Sequence, residues 1–242
     1  MYKLPGPFGK KGNIRSETIV NFACSLFLFT LLFLLQGCIG NNSPEPFMIE
    51  LNEMTDPRDG QTYKIVKIGD QWWMAENLNY YTPAGSWYYN NDSLSHAETY
   101  GRLYSWETAM AGQKSPDKPS GQVRGISPPG WHIPSAKEWE QLIKYLDKYD
   151  LDGNALKLAE TKFWRNSKTA TNKSGFSAVP GGTVSMREKT CSGIHIKTRF
   201  LTSATDKKYQ GILGFGLNDN SAEILKVPLE LDNGWSLRCV RD

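Results

Sequence analysis

Hydrophobic positions in this chain alternate in short runs and take up helical spacing in only one stretch. In "QTYKIVKIGDQWWMAENLN" (61–79), Tyr63, Ile65, Val66 and Ile68 precede Gly69-Asp70, and Gln71 to Met74 follow. That pattern predicts a hairpin closed by a two-residue turn. "TYGRLYSWETAMAG" (99–112) reads as a strand end running into a short helix stopped by Gly112. In "GWHIPSAKEWEQLIKYL" (130–146) the period changes. Trp139, Leu142, Ile143 and Leu146 fall at i, i+3, i+4 and i+7, and Ser135 with Glu138 forms a capping box behind Pro134. A short strand therefore meets a capped amphipathic helix. Trp131 and Ile133 flank His132, so the imidazole points away from the surface they pack on. It reads as structural or solvent-facing, not catalytic.

The segment 113–130 is rich in Pro, Gly and Ser and reads as a loop. Further on, "SGFSAVPGGTV" (174–184), "RFLTSATD" (199–206), "AEILKVPLEL" (222–231) and "GWSLRCVRD" (234–242) read as short strands. Helices come early and strands dominate later. This is an α+β layout, with two short helices packed on a mostly antiparallel sheet joined by long loops.

The N-terminal 37 residues are set apart. Lys3, Lys10, Lys11 and Arg15 precede an uncharged run dominated by Leu and Phe, which ends in Leu35-Gln36-Gly37-Cys38. The arrangement predicts a lipoprotein signal peptide over 1–37, with Cys38 the acylated mature N-terminus. An uncleaved membrane anchor is the competing reading. A solvated tether over 38–53 and a folded domain over 54–242 follow. Cleavage changes the charge picture. The whole chain carries 28 basic and 25 acidic side chains, and residues 1–37 hold four and one of these, leaving 24 of each. A mature chain of zero net charge gives no electrostatic case for nucleic acid.

Two cysteines remain after Cys38, Cys191 and Cys239, an even pair in an oxidising compartment. A bridge between them would contribute about 4 kcal/mol on the chain-entropy account. Two free thiols, or a metal site using Cys191 and His195, are the alternatives. A structural zinc needs four ligands, and no second close pair accompanies these. No metal and no cofactor are expected.

Aromatic residues crowd the start of the domain: Trp72, Trp73, Tyr80, Tyr81, Trp87, Tyr88 and Tyr89. Neighbours on a strand face opposite sides, so Trp72 and Trp73 cannot both enter the core of a one-sided sheet. In loop 80–92, Trp87, Tyr88 and Tyr89 adjoin Asn90, Asn91 and Asp92. Large rings beside small polar groups suit a saccharide, which shows both C–H faces and hydroxyl edges. These six residues are the candidate ligand-binding set. "YYNNDSLS" (88–95) and "LNDNS" (217–221) also offer oxygen ligands, but read as polar turns rather than calcium loops.

The blocks "MTDPRDGQTYKIVKIGDQWWMAENLNY", "YGRLYSWETAM", "PPGWHIPSAKEWEQLI", "SGFSAVPGG", "FLTSATD" and "WSLRCVRD", in this order, resemble the Fibrobacter succinogenes major paralogous domain family across roughly 54–242. The resemblance implies an exported protein, often a lipoprotein, with a C-type lectin-like fold of the kind also seen in formylglycine-generating enzymes. Such an oxidase needs a close pair of reactive cysteines holding copper, whereas Cys191 and Cys239 are far apart in sequence. The acidic-loop motifs of calcium-dependent lectins are missing too. The expectation is a non-catalytic domain, lipid-anchored in the cell envelope at the outer membrane of a Gram-negative bacterium. Its partners would be the membrane through the anchor and an extracellular glycan, fibre surface or envelope protein. A purely structural envelope component, or an unrecognised enzyme, is the alternative.

Overall fold

Strand pairing begins earlier than the sequence pattern suggests. The computed structural model describes residues 46–116, 122–206 and 211–242, so the segment predicted as a signal peptide and Cys38 lie outside the described residues. Within the stretch read as tether, β1 (Ile49–Thr55) pairs with β2 (Thr62–Ile68), from Ile49↔Ile68 to Thr55↔Thr62. The folded unit is Phe47–Asp242, and only the first part of the stretch 38–53 is left as a tether candidate. Glu50, Asn52 and Glu53 make β1 a polar edge strand, so its apolar signal is weak.

β2 continues into β3 (Gln71–Met74) through the expected hairpin, with Ile68 opposite Gln71. Gly69 takes a φ of 61°, and a Cβ there would come within 2.9 Å of the Tyr145 ring. Turn geometry and space both require glycine. β4 (Ser86–Trp87), helix α1 (Ser93–Tyr100), β5 (Leu103–Tyr104) and helix α2 (Trp106–Met110) follow. Helix α1 begins within a stretch whose composition suggests a polar turn. Its N-cap is Asp92, whose carboxylate accepts the Ser95 N–H at 3.1 Å. β6 (Trp131–His132) leads into helix α3 (Ala136–Asp147), as the period change predicts.

The rest is β-structure: β7 (Gly181–Ser185), β8 (Thr190–Ile194), β9 (Lys197–Phe200), β10 (Thr205–Asp206), β11 (Gly211–Asn218), β12 (Leu225–Leu229), β13 (Asn233–Ser236) and β14 (Val240–Arg241). One sheet runs β1-β2-β3-β14-β6. The other, of nine strands, follows β10-β11-β9-β13-β5-β4, with β12 on β11 and β7 linking β13 to β8. Among the described strands the pairs are antiparallel except for the β13–β9 contact. The protein is thus a mostly β fold with a few short helices, compatible with the α+β class.

The first sheet is covered on both faces. Tyr63, Ile65 and Met74 enter one core with Trp131, Ile133, Leu237 and Cys239. Val66, Ile68 and Trp73 enter another with Trp139, Phe176, Phe200 and Phe215. The one-sided premise therefore fails. Trp73 is fully buried in the second core, while Trp72 is half-buried against the first. In the second core the Trp139 ring stacks on Phe215 at 5.1 Å between centroids and meets Trp73 edge-on at 5.0 Å.

The β6–α3 joint carries the odd polar residue of this region. Trp131 and Ile133 face the first core, and His132 turns to the other side, as the alternation requires. It does not reach solvent: it is 2% exposed. Its Nε2 lies 2.7 Å from Glu138 Oε1 and its Nδ1 lies 2.7 Å from Asp242 Oδ1. Glu138 also completes the capping box, its Oε2 accepting the Ser135 N–H at 2.7 Å while Ser135 Oγ accepts the Glu138 N–H. Since Val240 pairs with His132, the imidazole ties β14 to the start of α3.

Burial opposes charge on His132, but the hydrogen bonds and charges of Glu138 and Asp242 outweigh it, and its pKa is raised from 6.5. Burial likewise opposes charge on Glu138, yet His132 and Ser135 hold its pKa below 4.5. The sign follows for each group. The His132 contribution is complete below pH 6.5 and is lost as pH rises through its raised folded value. The Glu138 contribution is present above pH 4.5 and is lost as pH falls through its lowered folded value. Urea unfolding across pH should therefore show greatest stability between these limits. His132→Ala should flatten that dependence and cost about 1–3 kcal/mol by stranding a carboxylate. Trp139→Ala should cost about 3–5 kcal/mol. A His132→Ala protein with unchanged stability at pH 6 would contradict this account of the joint.

Candidate functional site

Loop 80–92 crosses from β3 to α1, and local geometry sends its side chains to different places. β4 pairs with β5 through Ser86↔Tyr104 and Trp87↔Leu103. Tyr89, next but one to Trp87, is buried in a small third core with Leu103 and Val184. Trp87 packs half-buried against that core. Its ring lies near Gly234, where a Cβ would come within 3.2 Å of Trp87 Cε3. Tyr88 points the other way, half-buried, with the Arg102 guanidinium 4.0 Å from its ring centroid. Three consecutive rings thus divide, as an extended chain requires. Tyr89 is correspondingly not an anchor for a ligand: burial encloses its ring and raises its phenol pKa.

A short 3-10 turn, Tyr89–Asn91, carries the two amides. Asn90 and Asn91 have φ of 53° and 55°, a left-handed conformation that asparagine tolerates better than most side chains. The Asn90 N–H donates to Cys191 Sγ at 3.1 Å, which fixes the turn against β8. Both asparagines remain exposed. Asp92 has a different task from the one expected of it. Its side chain caps α1, and the Ser95 hydrogen bonds hold its pKa below the usual carboxylate value.

Trp87, Asn90 and Asn91 form one wall of a cleft of about 420 Å³. The facing wall comes from the β7–β8 hairpin: Ser185, Met186, Lys189 and Cys191. So half of the six predicted residues meet in one cleft, while Tyr88, Tyr89 and Asp92 do not line it. The hairpin wall is not legible in the sequence, because nothing local in "TCSGI" points to a partner a hundred residues earlier. The cleft combines an aromatic surface, two amides, a hydroxyl and an ammonium group. That set can hold a polyhydroxylated ring by stacking and by hydrogen bonds from several directions.

The two thiols are free, so the expected Cys191–Cys239 bridge is not formed. They stand in different surroundings. Cys191 is half-buried beside the third core, whereas Cys239 is enclosed in the first core, donating to Ser127 Oγ at 3.1 Å. Burial pushes the Cys239 pKa up to about 12, so it stays a neutral thiol at physiological pH.

A family model described as Fibrobacter succinogenes major domain matches residues 66–241, most of the folded unit. The chain belongs to that family. Neither a curated protein nor a solved structure matches it. In this Fibrobacter succinogenes major domain the matched region includes both walls of the cleft and the β6–α3 joint, and leaves β1 outside.

Alkylation of the native protein followed by peptide mapping should label Cys191 and spare Cys239 until denaturant is added. A linked Cys191–Cys239 peptide in protein isolated from its native cells without reductant would overturn this assignment of free thiols.

Proposed function

We propose that this Fibrobacter succinogenes major domain is a non-catalytic binding module that holds an extracellular glycan in the cleft between loop 80–92 and the β7–β8 hairpin. The observation that carries the reading is the juxtaposition of the half-buried Trp87 ring with the exposed Asn90 and Asn91 amides around one cavity of saccharide size. The turn that presents the amides is anchored by the buried Tyr89 ring and by Cys191, so the groups are preorganised. A non-catalytic role is supported by the state of the reactive groups named above. Cys239 is enclosed as a neutral thiol, and His132 is held between two carboxylates away from solvent.

Two further parts of the reading come from the sequence. The chain is anchored through an acylated Cys38 to the outer membrane of a Gram-negative cell, and the short tether after it displays the domain outside. The architecture is of the C-type lectin-like kind, which presents ligands on long loops over a β-framework. The two sheets and the loop-borne cleft are compatible with that architecture.

The test is a glycan array on the full chain, followed by calorimetry on each positive saccharide. Asn90→Asp and Asn91→Asp keep a residue that accepts the left-handed backbone but replace the amide donors. Each should weaken binding about tenfold, the worth of a lost hydrogen bond in a desolvated site, with stability changed by less than about 0.5 kcal/mol. An array with no positive saccharide, or saccharide binding indifferent to both substitutions, would overturn the cleft as a glycan site. The first result would favour a structural envelope component.

A further inference from the structure

Two arginines lie over tyrosine rings near loop 80–92, and only one of them is saturated. Arg58 lies 3.8 Å from the Tyr80 ring centroid. Its Nη2 and Nε donate to Asp56 and its Nη1 to the Ile126 carbonyl, so its charge and donors are met. Arg102 lies 4.0 Å from the Tyr88 centroid and 5.1 Å from that of Tyr81. Its side chain has no hydrogen-bond acceptor and no carboxylate partner among the described residues, and its Nε is buried without one. The other arginines that are buried or half-buried, Arg58, Arg199 and Arg238, all donate to carbonyl or side-chain oxygens.

The fold holds Arg102 there. Trp87↔Leu103 is the last β4–β5 pair, so Tyr88 and Arg102 are opposite one another one step on. Leu103 enters the third core and Arg102 faces away from it. Its backbone N–H is fixed to the Leu78 carbonyl at 3.1 Å. Gly101 before it takes a φ of 64°, where a Cβ would come within 2.9 Å of the Asn77 and Leu78 carbonyls. The position is therefore rigid, and Tyr81 beside it is 63% exposed. A buried guanidinium N–H without an acceptor, as at Arg102 Nε, is unfavourable in the free protein. A planar fork presents paired donors to an oxyanion, and tyrosine faces accept the C–H face of a sugar ring.

We propose that Tyr81, Tyr88 and Arg102 form a second binding subsite, separate from the Trp87 cleft, for an anionic saccharide. The oxyanion sits on the Arg102 fork and the sugar ring lies against a tyrosine face. The oxyanion is a uronate carboxylate or a sulfate ester, since both offer two oxygens to the fork. This goes beyond the cleft reading, because it requires the protein to discriminate by charge through Arg102.

The experiment is calorimetry on the full chain with matched neutral, uronate and sulfated oligosaccharides. One or both anionic forms should bind about tenfold or more tighter than the neutral form, and the two arms show which oxyanion is preferred. Added salt should reduce the preference. Arg102→Gln should abolish it with only a small change in melting temperature, since the replaced group makes no hydrogen bond or ion pair among the described residues and loses only its packing over the tyrosine rings. Arg102→Lys keeps the charge but not the fork and should restore only part of it. Tyr81→Ala, at an exposed ring, should weaken anionic binding in a folded protein and decides the matter if Arg102→Gln is unstable. Equal affinity for all three sugars, or a preference that survives Arg102→Gln, would overturn the subsite and leave the cleft reading standing. Anionic binding without neutral binding would support the subsite and overturn the cleft. No binding of any saccharide would overturn both.

Discussion

The architecture depends on a cation buried without a carboxylate. Arg238 is 1% exposed and lies between β13 and β14. Its Nε donates to Asn77 Oδ1 at 2.8 Å, its Nη2 to the Ser177 carbonyl at 2.9 Å and its Nη1 to the Phe176 carbonyl. The guanidinium also lies over the Phe176 and Phe200 rings. Burial brings its pKa down to about 9, still high enough to keep it charged at neutral pH. The cost of desolvating such a group is offset only where every donor finds an acceptor. That requirement fixes three distant segments against one another: the chain after β3, the loop at 176–177 and the approach to β14. The same backbone pairs alongside, with the Leu78 N–H donating to the Leu237 carbonyl and the Met74 N–H to that of Cys239. Leu237 and Cys239 enter the first core, and Arg238 projects into the aromatic second core between them.

Once Arg238 sets the path into β14, the other polar buried groups follow. β14 enters the first sheet between β3 and β6, which brings Asp242 to His132 and the start of α3. The tight joint between β6 and α3 therefore has a physical purpose. It delivers Trp139 into the second core at the residue after Glu138, while His132, held by Glu138, clamps the C-terminal strand through Asp242. The binding candidates stand on a third, smaller core. Tyr89, Leu103 and Val184 hold loop 80–92 against the β7–β8 hairpin, so the exposed amides and the Tyr88–Arg102 pair are displayed on opposite sides of a single buried support.

Elements whose signal is local were legible. The hairpin at Gly69-Asp70, the capping box of α3 and its apolar stripe each depend on residues a few positions apart. β11 was not legible, though it is the longest of the later strands. Gly211, Gly214 and Gly216 lower its strand propensity, yet Gly214 and Gly216 are needed because Leu229 and Arg199 pack where a Cβ would stand. β1 and α1 were missed for the opposite reason, being polar elements whose partner or cap is what defines them.

By itself, the sequence determined which segments could form a hairpin, a capped helix or a short strand, because those depend on periodicity and turn chemistry. It also placed the aromatic and amide groups in loop 80–92 and required that adjacent rings diverge. Only the tertiary structure decided that Tyr89 would be buried, that Asp92 would cap a helix, and that Cys191 and Cys239 would stand apart as free thiols. The same holds for Arg102, which is one unremarked cation in the sequence and becomes a charge without an acceptor only when β4 and β5 pair beside it. Burial and partnership are set by residues far apart in the chain, and no local pattern specifies them.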